Sequence, residues 1–176
     1  IERRIIIDSA KVAGVKVPNL LNSTTAEAIT YLVDHQKIII ENESKYAVFI
    51  DFGDTCFSSS IVQFHQKAIE VKSCWCDNSI GGSDFTMALV DYLLELTRKK
   101  YKIDPSDKPR SMIRFIEAAE KLKKGLSVNQ VMRFEVDSLS DGINIEFTVQ
   151  RSEFENKIQD LIERITDPIE KSIKIK

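Results

Sequence analysis

The chain has 176 residues, 43% of them hydrophobic, and a formal net charge of -2 at pH 7, so it is long enough to bury a core and too balanced for a disordered tail. Its 25 basic and 27 acidic residues give no global field favouring DNA or an anionic membrane. No apolar run approaches the roughly 20 residues that cross a bilayer.

From Glu2 to Ala13 the charged and apolar residues predict a helix, stopped by Gly14 and followed by a short strand through Val15, Val17 and Pro18. Thr24-Thr25-Ala26-Glu27 matches a capping box, and Ala28, Ile29, Leu32 and Val33 supply the apolar stripe of a second helix ending near His35. A polar turn at Glu41 to Lys45 precedes Tyr46-Ala47-Val48-Phe49-Ile50, read as a strand buried on both faces. Strands at Phe57 to Phe64 and Ala68 to Cys76 complete a meander. After Gly81-Gly82, the residues Phe85, Leu89, Tyr92, Leu93 and Leu96 share one face of the longest helix, which ends at Tyr101. Pro105 and Pro109 bracket a loop, and Met112, Phe115, Ile116, Ala119 and Leu122 mark another helix that Gly125 should stop. Val131 to Val136 and Ile143 to Val149 alternate around Ser140-Asp141-Gly142, a hairpin pattern. A helical segment carries Phe154, Ile158, Leu161, Ile162 and Ile165, and Asp167-Pro168 starts a further helix. The predicted order α-β-α-βββ-α-α-ββ-α-α places the chain in the α/β or α+β class.

Four local features have chemical as well as structural readings. Ile50-Asp51-Phe52-Gly53-Asp54-Thr55-Cys56 delivers an acid from a strand end into a turn; the Asp can hold a metal-bound water and the Gly lets backbone N–H groups approach a phosphate, or the segment is simply a hairpin turn. Gly81-Gly82-Ser83-Asp84 opens a long helix, where free N–H groups form an anion site, or it merely ends a strand. Glu120 faces Lys123 at i, i+3 and Lys124 at i, i+4, a solvated helix face or one carboxylate and two cations for a ribose and base. Cys74 and Cys76 share a strand face, but zinc needs about four ligands, and neither His35 nor His65 completes a set, so buried thiols acting as small hydrophobes are expected. Three cysteines also fit a reducing compartment better than a disulfide scaffold. Neither histidine sits in a frame typical of a Ser-His-Asp or Cys-His hydrolase.

Five motifs in one order carry a resemblance. Glu2-Arg3-Arg4 with Asp8 to Gly14, Leu20 to Ala26, Phe49 to Gly53, Gly81 to Phe85, and Glu120 to Lys123 with Ser127 resemble the nucleotide-binding domain of the seventy-kilodalton heat-shock chaperones over essentially the whole chain. Lys99 to Asp104, Lys108 to Ser111, and Glu120 to Lys124 with Ser127 and Asn129 resemble the large, hundred-and-ten-kilodalton branch. Where the folding chaperones have Asn-Glu-Pro-Thr this chain has Asn22-Ser23-Thr24-Thr25, and where they have Asp-Leu-Gly-Gly-Gly-Thr it has Asp51 to Cys56.

The resemblance implies an actin-like (ribonuclease H-like) ATPase fold cut to its second lobe. Residues 1–35 are then the tail of the first lobe, 36–79 and 153–176 the base subdomain, and 80–152 the upper subdomain. By position, Asp51 matches the acid that orients the metal-bound water, Gly53 the phosphate loop, and Gly82 a phosphate-side glycine. Cys56 stands where a phosphate-binding Thr is expected, and Glu120, Lys123, Lys124 and Ser127 match the adenosine clamp. ATP or ADP with Mg is implied for the intact protein and none for this piece alone, because the first-lobe phosphate loop and the final Gly-rich segment are absent from it. Asp54 puts a charge where the folding chaperones have a Gly, which implies weaker ATP binding or slower hydrolysis.

The function implied is that of a nucleotide exchange factor and holdase. Its partners are folding chaperones of the seventy-kilodalton type and, through regions outside this chain, unfolded polypeptide; no nucleic acid or membrane partner is expected. Candidate contact faces are the helix from Phe85 to Tyr101 and the stretch from Met112 to Lys124. An ATP-hydrolysing folding chaperone is the alternative, and a sugar kinase of the actin-like class a third. The first residue is not Met, so the chain is expected to be part of something longer, and the cytoplasm is its expected location.

Overall fold

The computed structural model describes residues 1–35, 44–65, 68–140 and 142–173. The polar turn expected from Glu41 lies mostly outside them, as does Asp141 of the hairpin turn. The chain divides into two compact units, Ile1–Ile50 with Ser59–Trp75, and Asp51–Ser58 with Cys76–Lys176.

In the first unit, α1 (Glu2–Val12) buries no residue. No strand follows it among the described residues: 15–22 is irregular, Val15 is exposed, and Pro18 has no N–H to offer a neighbouring strand. Helix α2 (Ser23–Asp34) has its N-cap at Asn22, two residues before the expected Thr24, and no side chain caps it. The Asn22 amide oxygen instead accepts a 2.6 Å bond from the Arg3 guanidinium. Strands β1 (Lys45–Phe52), β2 (Phe57–His65) and β3 (Ala68–Asp77) form an antiparallel sheet in that order.

Ala28 of α2 packs with Val62 and Phe64, and Tyr31, Leu32, Ala47, Phe49, Ile69 and Val71 surround them. Tyr31 meets Phe49 edge-on at 5.5 Å, a favourable arrangement of two aromatic quadrupoles. Strand β1 is not buried on both faces. Ala47 and Phe49 turn toward this cluster while Tyr46, Val48 and Ile50 are 63%, 44% and 58% exposed. The apolar run therefore alternates in environment although not in hydropathy. Cys74 and Cys76, expected inside, are both exposed, because the alternation of β3 puts Ile69, Val71, Ser73 and Trp75 on its covered side.

The second unit is built around α3 (Gly82–Tyr101) and α4 (Pro109–Leu126), joined by a single 3-10 turn at Pro105–Asp107. Against them lies the antiparallel hairpin of β4 (Val131–Ser140) and β5 (Ile143–Gln150). Leu89, Val90, Leu93, Phe115, Leu122, Phe134, Ile145 and Val149 fill the shared core. Each is at most 2% exposed, and burying one such side chain contributes about 1.5–3 kcal/mol. The pairing is regular from Val131 opposite Gln150 to Val136 opposite Ile145, then shifts before Ser140. Ser138 has φ +46 there, and its N–H is held by the Asn144 side-chain oxygen.

Three expected boundaries move for packing reasons. Gly125 lies within α4 instead of ending it: a Cβ on it would sit 1.9 Å from the Met132 sulfur, so the glycine makes room for β4. The last helical stretch breaks at Ile158 into α5 (Arg151–Lys157) and α6 (Gln159–Ile173). Pro168 lies inside α6, and in the turn before it the Thr166 hydroxyl donates to the Ile162 carbonyl. At the end of β3 the Asp77 carboxylate accepts from the Ser79 N–H and hydroxyl and from Arg164 of α6. These donors, the Ser79 hydroxyl first, lower its pKa to about 2.

Two outcomes follow from this packing. Gly125→Ala, whose Cβ would meet the movable end of the Met132 side chain within a helix that favours Ala, should change stability by less than about 1 kcal/mol in urea unfolding, and a double-mutant cycle with Met132→Ala should show that any loss depends on the Met132 side chain. Because Asp77 has a lowered pKa in the folded state, its contribution is present above the unfolded value near 3.8 and fades as pH falls toward about 2. Wild type and Asp77→Asn should therefore differ in stability at neutral pH and converge across that acid window.

Candidate functional site

Gly53, Gly82 and Lys123, three of the expected site residues, meet at the start of α3. Strand β1 ends at Phe52, and the turn that follows folds back so that the Gly53 N–H donates to the Cys56 carbonyl at 2.9 Å. Both carbonyls of that turn point at α3. The Gly53 oxygen accepts from the Gly82 N–H and the Asp54 oxygen from the Ser83 N–H, each at 2.9 Å, and the Ser83 hydroxyl adds a 2.7 Å bond to the Asp54 oxygen. The N–H groups expected to stand free for an anion are thus already engaged. Gly81 is extended, and its N–H donates to the Asp84 carboxylate, which closes the cap. The fit is tight: a Cβ on Gly81 would lie 2.2 Å from the Asp54 carbonyl oxygen.

Helix α4 brings the cation. Lys123 is half-buried, and its Nζ donates to the Gly82 carbonyl and to the Thr86 hydroxyl, both at 2.7 Å. Thr86 is buried and donates in turn to the same Gly82 carbonyl. An ammonium with three donors and two acceptors retains one N–H for a ligand. Thr86 is the residue that sequence reasoning missed here. Its signal is faint: a hydroxyl one turn after Gly82, whose meaning depends on a lysine 37 positions away.

The other clamp residues behave differently. Glu120 and Lys124 pair with each other at 2.7 Å on an exposed part of α4. The Lys124 ammonium lowers the Glu120 pKa, by hydrogen bond first and charge second. The Ser127 hydroxyl donates to the Lys124 carbonyl as α4 ends. Gly82, Lys123 and Ser127 line a cavity of about 380 Å³, with Phe52, Phe85 and Phe154 among its apolar walls and Arg151 and Glu155 among its polar ones. Phe52 meets Phe57 and Phe85 edge-on at 5.9 and 5.4 Å, which fixes the turn against α3. Asp51, Cys56, Glu120 and Lys124 do not line this cavity. Asp51 is exposed and Cys56 is half-buried, its sulfur 3.6 Å from where a Gly53 Cβ would be. Among the described residues no three His, Cys, Asp or Glu side chains form a metal-binding group.

A glycine turn laid on a helix start, a lysine reaching that start from a second helix, and a mostly apolar cavity beside them characterise this α/β protein. The profile of the Hsp70 protein family matches residues 1–175, and the chain belongs to that family. This bears out the resemblance drawn from the five motifs.

Heat shock protein hsp88 of Neurospora crassa is 35% identical over 173 residues, 98% of this chain and 24% of that protein. A heat shock protein homolog of Saccharomyces cerevisiae is 32% identical over 174 residues, 98% of this chain and 25% of that protein. Heat shock 70 kDa protein 4 of Homo sapiens is 30% identical over 170 residues, 96% and 20% respectively. The chain therefore spans about a quarter or less of the length of these relatives. No described helix is long and apolar enough to cross a membrane.

Gly81→Ala tests the closeness of the turn to α3. Its Cβ meets backbone, which cannot swing aside as a side chain can, so the substitution should cost about 1–3 kcal/mol or more in thermal or urea unfolding. Gly82→Ala, whose Cβ would find its nearest neighbour at 3.5 Å, should cost clearly less.

Proposed function

We propose that this chain is the second lobe of an Hsp70-type nucleotide-binding domain of the large heat-shock branch. Residues 1–35 are the tail of the first lobe, 36–79 and 153–176 the base subdomain, and 80–152 the upper subdomain. The intact protein binds ATP or ADP with Mg, and it serves folding chaperones of the seventy-kilodalton type as a nucleotide exchange factor and holdase in the cytoplasm. The observation that carries this reading is the reach of Lys123 to the Gly82 carbonyl beside the Gly53 turn. Three segments far apart in sequence, each matching a family motif, meet at one place.

The residues present suit an adenine nucleotide. Lys123 keeps a donor for an anionic oxygen, Ser127 puts a hydroxyl at the cavity, and glycine at position 82 leaves the space beside Lys123 open. Asp51 is exposed at the strand end, where it can hold the water shell of a Mg ion, a metal that usually keeps several waters. Bound Mg-nucleotide supplies a phosphoryl group whose charge the metal offsets. Glu120 and Lys124, paired on the helix surface, supply one acceptor and one cation for a ribose and base. Cys56 in place of a hydroxyl gives a weaker hydrogen-bond partner for phosphate.

The deciding measurement is release of labelled ADP from a folding chaperone of the seventy-kilodalton type by the full-length protein. Release should speed up at least about tenfold, a change of about 1.4 kcal/mol in barrier. No acceleration, together with ATP turnover stimulated by a J-domain protein, would replace this reading with that of a folding chaperone.

A further inference from the structure

Asp54, the added charge noted in the sequence, lies near the same glycine as the lysine that reaches the start of α3. Its Oδ1 is 3.5 Å, and the Lys123 Nζ 3.6 Å, from the point where a Cβ on Gly82 would sit. An exposed carboxylate and a half-buried cation thus approach the same point beside Gly82, which lines the cavity. The Asp54 main chain and the Lys123 side chain are both anchored. The Asp54 backbone is tied to α3 through the two bonds its carbonyl accepts from Ser83, and Lys123 is tied through Gly82 and Thr86.

We infer that Asp54 sets the charge selectivity of the nucleotide site, disfavouring the triphosphate relative to the diphosphate and leaving the nucleoside alone. The inference rests on the nucleotide reading proposed above. A carboxylate at this point acts in two ways: it offsets part of the attraction of Lys123 for an anion, and it repels the phosphate chain directly. Both effects grow with the number of negative charges on the ligand, whereas an uncharged nucleoside meets neither. Asp54 is exposed, so water and salt weaken both effects without abolishing them. The graded dependence on ligand charge separates this role from a purely steric one, which would change the affinity of all three ligands alike.

The test uses the full-length protein and its Asp54→Asn variant, which keeps the side-chain shape and removes the charge. Affinities for ATP, ADP and adenosine are measured by titration calorimetry at fixed Mg, in low and in high salt. The variant should bind ATP about three- to fivefold more tightly, ADP by a smaller factor and adenosine unchanged, with the gain shrinking in high salt. An unchanged ATP-to-ADP ratio overturns the inference while the nucleotide reading stands, provided the wild type binds ATP and ADP. Weaker ATP binding by the variant also overturns it, since Asp54 would then assist binding, as a metal ligand does. If the wild type binds none of the three, the inference and the nucleotide reading fall together.

Discussion

The second unit depends on one backbone arrangement: the carbonyl oxygens of Gly53 and Asp54 accept the first N–H groups of α3. A helix start leaves N–H groups without partners inside the helix, and they must find acceptors elsewhere. Here a turn 29 residues upstream provides them, and the buried Gly81 lets the two backbones come close enough. The end of β1 and the longest helix are thereby locked in one geometry. Phe52, carried on that strand end, reaches Phe85 on the helix and adds an apolar contact to the polar one.

With α3 fixed, α4 decides the chemistry. Its inward side, Phe115, Ala119, Leu122 and Leu126, packs in the core with the hairpin residues Phe134, Val136 and Ile145. That packing sets the rotation of the helix and so turns Lys123 toward Gly82 and Thr86, while Glu120 and Lys124 remain at the surface. Adjacent lysines therefore have different environments: one is half-buried with two oxygen acceptors, the other is paired with Glu120 in solvent. A surface pair of the latter kind contributes little to stability, because water and salt screen it.

Motif order and periodicity made most of the elements legible. The alternation in Val131 to Val136 and Ile143 to Val149 predicts the hairpin because a strand that covers one face needs apolar residues at every second position. The spacing of Leu89, Tyr92, Leu93 and Leu96 predicts α3 for the equivalent reason at helical period. Failures came where a residue's local habit was overruled. Gly125 reads as a stop and is a seat for Met132; Pro168 reads as a start and is carried through α6; Thr24 reads as part of a cap, and Asn22 takes the cap position with its side chain bonded to Arg3. Local propensities are worth about 1 kcal/mol or a few, less than the packing of a whole helix face.

By itself, the sequence determined the family, the α/β class and the identity of the polar groups, because motif order and hydropathic period are properties of the chain alone. Tertiary structure decided which of those groups meet. It closed the N–H groups of Gly82 and Ser83 with carbonyls, gave Lys123 its partners, left Tyr46, Val48, Ile50, Cys74 and Cys76 exposed, and brought Asp54 beside the cation. The physical reason is that hydrogen bonding and charge depend on distances of a few ångströms between residues dozens of positions apart, and only the packed core fixes those distances.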